Sequence, residues 1–242
     1  MTRSFGNPFA TRHTRPGRLP PLDASGLPLD LEALVGRALA TRAAAIVGPH
    51  GSGKSNLLHH LAVGIEAAGG RVERVRLQFR RDTLRAWAAL CAAGRGGTVC
   101  VDSWERAGPV ERVVLVVLAR ACGCRLLVTA HRPIAWLPTL ARCTTTPRLL
   151  AALVARLVAP PSRGGGAVGA ADVEAAFTGH DGDLREALYQ LYDLVESRRF
   201  GVSCTTWPDG GADRDDRVGV QSEIHDSTAG FSYAGAPERN LG

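Results

Sequence analysis

The sequence predicts an α/β fold: a parallel sheet flanked by helices, followed by a small helical C-terminal lid and bounded by disordered tails. Three observations carry that expectation. Short apolar runs alternate with amphipathic stretches between Ala43 and Val158, the order that covers a parallel sheet with crossover helices. A glycine-rich loop, GPHGSGKS, joins the first run to the helical pattern behind it. Past the linker APPSRGGGAVGA, two further helical patterns stand apart from the alternation.

In chain order, residues 1–28 hold Pro, Gly and Arg without apolar periodicity and read as an extended basic arm that takes its order from whatever it docks on. From Asp30, Leu31, Leu34, Val35, Ala38 and Leu39 recur at helical spacing. The core, 29–160, then alternates strand Ala43–Val47, helix Lys54–Ala68, strand Arg71–Phe79, helix Asp82–Ala93, strand Thr98–Asp102, helix Pro109–Ala121 and strand Arg125–Thr129. Val75, Leu77 and Phe79 lie on one face of the second strand and Arg74, Arg76 and Gln78 on the other, a period of two that suits a sheet edge. The other strands of this series are apolar on both faces, hence central. A fifth strand, Ala141–Thr146, precedes a helix over Pro147–Val158, with Pro147 in the first turn, where a missing N–H costs nothing. The lid, 168–198, takes helices Asp172–Phe177 and Asp183–Val195, the second stacking Leu184, Leu188, Leu191 and Val195 along one face. From Arg199 the chain turns to Gly, Asp, Ser and Thr, and 199–242 reads as a disordered tail.

A chain of 242 residues with 45% apolar content buries a real core. The apolar run Val113–Ala119 is too short to span a bilayer, and the basic start is followed by no apolar leader core, so the expectation is a reduced, cytoplasmic protein. Its six cysteines lack paired zinc spacing, and Cys122-Gly123-Cys124 reads as a turn in preference to a redox or metal pair. A net charge of +6 leaves nucleic-acid contact open, although no DNA- or RNA-reading motif is present.

The loop fits G-x-x-x-x-G-K-[ST] without a mismatch and sits between a predicted strand and a predicted helix, the context a phosphate cradle requires. Gly48, Gly51 and Gly53 allow the backbone angles and close approach by which consecutive N–H groups wrap an anion, aided by the helix N-terminus; Ser52 lies within that run. Lys54 is expected to reach the β and γ phosphates of a nucleoside triphosphate, and the Ser55 hydroxyl to coordinate Mg2+. Lys54 is the only lysine among 29 basic residues, which makes a chance match rare. The strand TVCVD ends in Asp102, an acid placed to hold Mg2+ beside Ser55; the alternative is an ordinary turn-capping aspartate.

On these residues the chain resembles the P-loop NTPases, and within them the branch of the AAA+ ATPases, over roughly residues 30–196. LLVTAHR and GHDGDLREALYQLYDLVE are similar to that group's sensor 1 strand and to the arginine-bearing start of its lid helix. The resemblance implies ATP, or another NTP, with Mg2+ as cofactors, Thr129 orienting the attacking water, and Arg185 reaching the γ phosphate from the lid. For each a plainer role stands beside it: a threonine that satisfies local backbone, an arginine in a solvated ion pair. The segment Asn7-Pro8-Phe9 is similar to one that packs near the adenine in some AAA ATPases, or it docks on a partner subunit.

The family's usual glutamate after the Walker aspartate is absent; Ser103 and Trp104 follow Asp102, and Glu105 is the nearest carboxylate to act as base. Binding with slow or partner-stimulated hydrolysis is therefore the expectation, in an ATPase or nucleotide switch that closes its lid and changes a surface read by a protein partner or a second copy of itself. Two other classes fit the cradle. A P-loop small-molecule kinase would use Arg80, Arg81 and Arg85 at an acceptor site, and a non-hydrolysing adaptor would bind ATP while contacting nucleic acid.

Overall fold

The computed structural model describes residues 6–79, 81–158 and 168–200. Arg80, most of the linker (159–167) and the tail from 201 lie outside the described residues, and the expectations that fell on them are not addressed by the structure.

Five parallel strands form one sheet: β1 (Ala43–Val47), β2 (Val72–Arg76), β3 (Thr98–Asp102), β4 (Arg125–Ala130) and β5 (Thr139–Arg142). Their spatial order is β2-β3-β4-β1-β5. The helices between them are α3 (Lys54–Ala67), α4 (Asp82–Ala93) and α5 (Pro109–Ala121), with α2 (Leu31–Ala40) ahead of β1; the arm adds the one-turn α1 (Thr11–Thr14). Successive side chains of a strand point to opposite faces, so each central strand feeds two cores. Ala45, Val47, Val99, Val101, Leu126 and Val128 pack toward Leu90 of α4 and Leu115 of α5. Ala44, Ile46, Cys100 and Leu127 pack toward Leu57, Leu61 and Ile65 of α3.

The patterning of β2 predicts an edge, and β2 is an edge, though shorter than expected. The Asp82 side chain accepts from Gln78 N (2.8 Å) and Phe79 N (2.9 Å), so those two N–H groups start α4 and leave the sheet. The fifth strand also begins and ends earlier than expected. Ala45 N donates to Pro138 O and the register shifts between Ala45 and Ile46, which draws Thr139 into the ladder. At the other end Thr146 Oγ1 accepts from Leu149 N and caps α6 (Pro147–Val158) instead of extending the strand.

A third core gathers α6, α7 (Ala170–Gly179) and α8 (Leu184–Phe200), around Leu150, Ala176, Ala187 and Leu191. Phe9 of the arm, 1% exposed, is inserted among these helices, and Asn7 Nδ2 donates to Tyr192 O (2.9 Å) and Glu196 Oε1 (2.8 Å) on α8. Further along, Gly17 N donates to Asn56 Oδ1, while Asn56 Nδ2 donates to Leu19 O, tying the arm to α3. The arm is not merely extended: it has hydrogen bonds of its own in α1, in the turn at Asp23 and at the Leu22–Pro28 bridge, beside its bonds to α3 and α8. Phe9 reaches the helical core.

Candidate functional site

The loop after β1 is built by three glycines with different reasons to be glycine. A Cβ on Gly48 would lie 2.3 Å from Cys143 O. Gly51 has φ of 64° and its Cβ would fall 1.8 Å from Asp183 Oδ1, so both conformation and space require glycine there. Gly53, with φ of 85°, is the left-handed residue that precedes α3, and open space surrounds its missing Cβ. The Ser52 hydroxyl donates to Pro49 O (2.8 Å), closing the loop on itself.

Lys54 opens α3, is 8% exposed and donates to Pro49 O. Burial lowers its ammonium below the usual lysine value, against the opposing pull of Cys143, Glu105 and Asp102; the positive charge of Arg185 adds to the lowering. Ser55 Oγ donates to Asp102 Oδ1 at 2.9 Å, joining the first turn of α3 to the end of β3. Thr129 Oγ1, on β4 between the two motif-bearing strands, donates to the same oxygen at 2.7 Å and accepts from Ser103 N at 2.8 Å. Arg76 Nε approaches Asp102 Oδ2 at 3.8 Å.

Past Asp102 the chain reverses through Ser103, a non-glycine residue at φ of 64°, into a single 3-10 turn, Trp104–Arg106. Trp104 is 1% exposed and packed in the core beside β3. Glu105 faces the cleft, its Oε1 3.3 Å from His131 Nε2.

A cleft of about 640 Å³ brings these groups together: Lys54, Ser55, Asp102, Glu105, Thr129 and Arg185 all line it. The arm forms part of its wall through Leu19 and Leu22, Leu29 follows them, and α6 and α8 contribute Leu149, Leu153 and Leu188. Arg81 and Arg85 point elsewhere: Arg81 lies 4.9 Å over the Phe79 ring and Arg85 pairs with Asp82 at 3.9 Å.

No protein-family model matches the chain, and no curated protein matches it. Among solved structures, RuvB of Thermotoga maritima, described as a Holliday junction branch migration motor, superposes with a TM-score of 0.50 at 18% identity. The match covers 71% of this chain and 60% of RuvB, so the chain spans less than two thirds of the length of that structure. NtrX from Brucella abortus, solved in complex with ATP, matches at a TM-score of 0.48 and 14% identity, over 70% of this chain and 51% of NtrX. The fold is that of an AAA+ P-loop NTPase.

Within the AAA+ fold, the donors at the head of the cleft have the chemistry of a hard divalent cation and a polyphosphate. A serine hydroxyl and one carboxylate are what Mg2+ takes from protein when phosphate oxygens and water complete its shell. Among the described residues no group of three or more His, Cys, Asp or Glu is arranged to hold a metal. Cys122-Gly123-Cys124 is a turn at Gly123, φ 69°, and Cys124 Sγ donates to Leu90 O and Gly94 O. No helix among the described residues is long and apolar enough to cross a membrane.

Sequence reasoning gave no role to His50 or Asp183, and the structure pairs them. His50 Nδ1 and Asp183 Oδ2 are 3.1 Å apart, while Asp183 Oδ1 accepts from Arg185 N at 2.9 Å and caps α8. Burial pushes the Asp183 carboxyl up, but the bonds from His50 and from the N–H groups of Glu186 and Arg185 outweigh it and hold the carboxyl below its usual value. Only a cap signal was available beforehand: GHDGD stands just ahead of an apolar periodic run.

Proposed function

We propose that this chain is an ATP-binding, AAA-like ATPase or nucleotide switch that works with Mg2+. The observation that carries the reading is the Ser55–Asp102 hydrogen bond, which unites the two motifs at the head of a cleft large enough for a nucleotide. In this reading the N–H groups from Gly51 to Ser55 and the Lys54 ammonium grip the β and γ phosphates, and the start of α3 adds its positive end. Ser55 and Asp102 would hold the cation, which when bound would neutralise charge on the transferred phosphoryl group. Glu105 accepts a proton from the attacking water, Thr129 keeps Asp102 and the turn after it in line, and Arg185 meets the γ phosphate from α8.

The apolar groups Leu19, Leu22 and Leu188 supply a wall for the base, so nucleotide would bridge the core, the arm and α8. A protein partner or a second copy of the chain would then read the resulting change in the helical unit. Because the candidate base is displaced from the strand end by a turn, turnover is slow.

Phosphate release by the full chain with MgATP and no acceptor is the test. Release on the order of one per minute or slower, abolished by Asp102→Ala, is the result expected. ATP consumption seen only after a small-molecule acceptor is added would transfer the chain to the kinases, and tight binding without any turnover would make it an adaptor.

A further inference from the structure

We propose that His131 is a positioning residue that holds the Glu105 carboxylate in the cleft for hydrolysis; the assignment rests on the ATPase reading above. Glu105 does not belong to β3, so no strand pleat aims it. Ser103 turns the chain at φ of 64°, and Glu105 follows within the 3-10 turn. The backbone there is held by Arg112, whose Nη2 donates to Glu105 O at 3.0 Å and whose Nε donates to Ala107 O at 2.8 Å. Those bonds fix the main chain and leave the side chain to its own contacts.

The carboxylate is unevenly served. Oε1 has His131 Nε2 at 3.3 Å, whereas Oε2 is buried and has no hydrogen-bond partner among the described residues. A buried acceptor without a partner drives a side chain to swing toward solvent, where both oxygens are satisfied. The contact of His131 Nε2 with Oε1 opposes that swing. That contact leaves the lone pairs of Oε1 able to accept from a water in the cleft.

His131 is itself fixed from two sides. It directly follows β4, the strand that brings Thr129 to Asp102, so one strand end sets both contacts of the region after Asp102. Its ring stands edge-on to that of His50, with centroids 5.6 Å apart and planes at 67°. His50, in a free position of the phosphate-loop motif, is bonded in turn to Asp183 at the start of α8. The orientation of Glu105 is thereby tied to the loop that binds phosphate.

The experiment compares the full chain with His131→Ala and His131→Gln, each alone and combined with Glu105→Gln. Turnover is read by phosphate release and affinity by a fluorescent ATP analogue, with melting temperature as the folding control. His131→Ala is expected to lower kcat by about tenfold while affinity changes less than about twofold. His131→Gln, which returns an N–H donor, is expected to restore most of the loss. In the Glu105→Gln background, His131→Ala is expected to add nothing, because the group it positions is already gone. Turnover unchanged by His131→Ala, or lowered to the same extent in both backgrounds, overturns the assignment while leaving the ATPase reading intact. If the unmodified chain binds the analogue and releases no phosphate, the ATPase reading fails and the assignment fails with it.

Discussion

Ser55 Oγ donates to Asp102 Oδ1 at 2.9 Å across a sequence separation of 47 residues, and Thr129 Oγ1 donates to the same oxygen at 2.7 Å. One carboxylate oxygen thus gathers a helix start and two strand ends. If Ser55 serves Mg2+, Ser55→Ala weakens MgATP binding by about tenfold or more and changes binding in EDTA far less, since only the cation-dependent part uses the hydroxyl. Titration of the variant with and without Mg2+ checks this; equal losses in both conditions would assign Ser55 to the phosphate alone.

The two left-handed loop glycines differ in what surrounds them. Gly53→Ala meets open space and carries only the left-handed backbone penalty of about 1–2 kcal/mol, read as a lower denaturation midpoint. Gly51→Ala also drives a methyl into Asp183 Oδ1, so it frees the start of α8. Hydrogen exchange of the Arg185 and Glu186 amides should rise in Gly51→Ala and stay low in Gly53→Ala.

Phe9 is the arm's main anchor in the helical core. Phe9→Ala removes a fully buried ring and is expected to cost about 3–5 kcal/mol in chemical denaturation. A loss under about 1 kcal/mol would mean that the arm does not dock there in solution.

Asp172 joins α7 to α8 through a two-pronged bond to Arg198, Oδ1 to Nη2 at 2.7 Å and Oδ2 to Nη1 at 2.8 Å. That bond and the Gly169 N–H lower its carboxyl below the ordinary 3.8, against a smaller upward push from burial. A carboxyl lowered on folding adds stability that is complete above its unfolded value and fades as pH falls through the folded one. The gap in stability between the native chain and Asp172→Asn is therefore expected to hold from neutrality down to about pH 5 and to close in stronger acid. Acid denaturation of both proteins reads it. The pair is partly exposed, so the gap is small.

What the sequence made legible follows the range of each interaction. The central strands and the edge character of β2 are written in periods of two and in continuous apolar runs, and the phosphate loop in its spacing. The bounds of β2 and β5 were missed where side chains of Asp82 and Thr146 take over backbone N–H groups, a local competition that apolar patterning does not record. His131 against Glu105, His50 against Asp183 and Phe9 within α6–α8 were illegible for another reason. Each joins segments far apart in the chain, and no periodicity within either segment announces the other.

Calorimetry of MgATP binding to the full chain and to Lys54→Ala tests the central claim most directly. The account predicts one site per chain in the native protein and a loss of affinity of about a hundredfold or more in the variant, with the circular dichroism spectrum unchanged. Equal affinity in the two proteins, or no binding by the native chain, would contradict it.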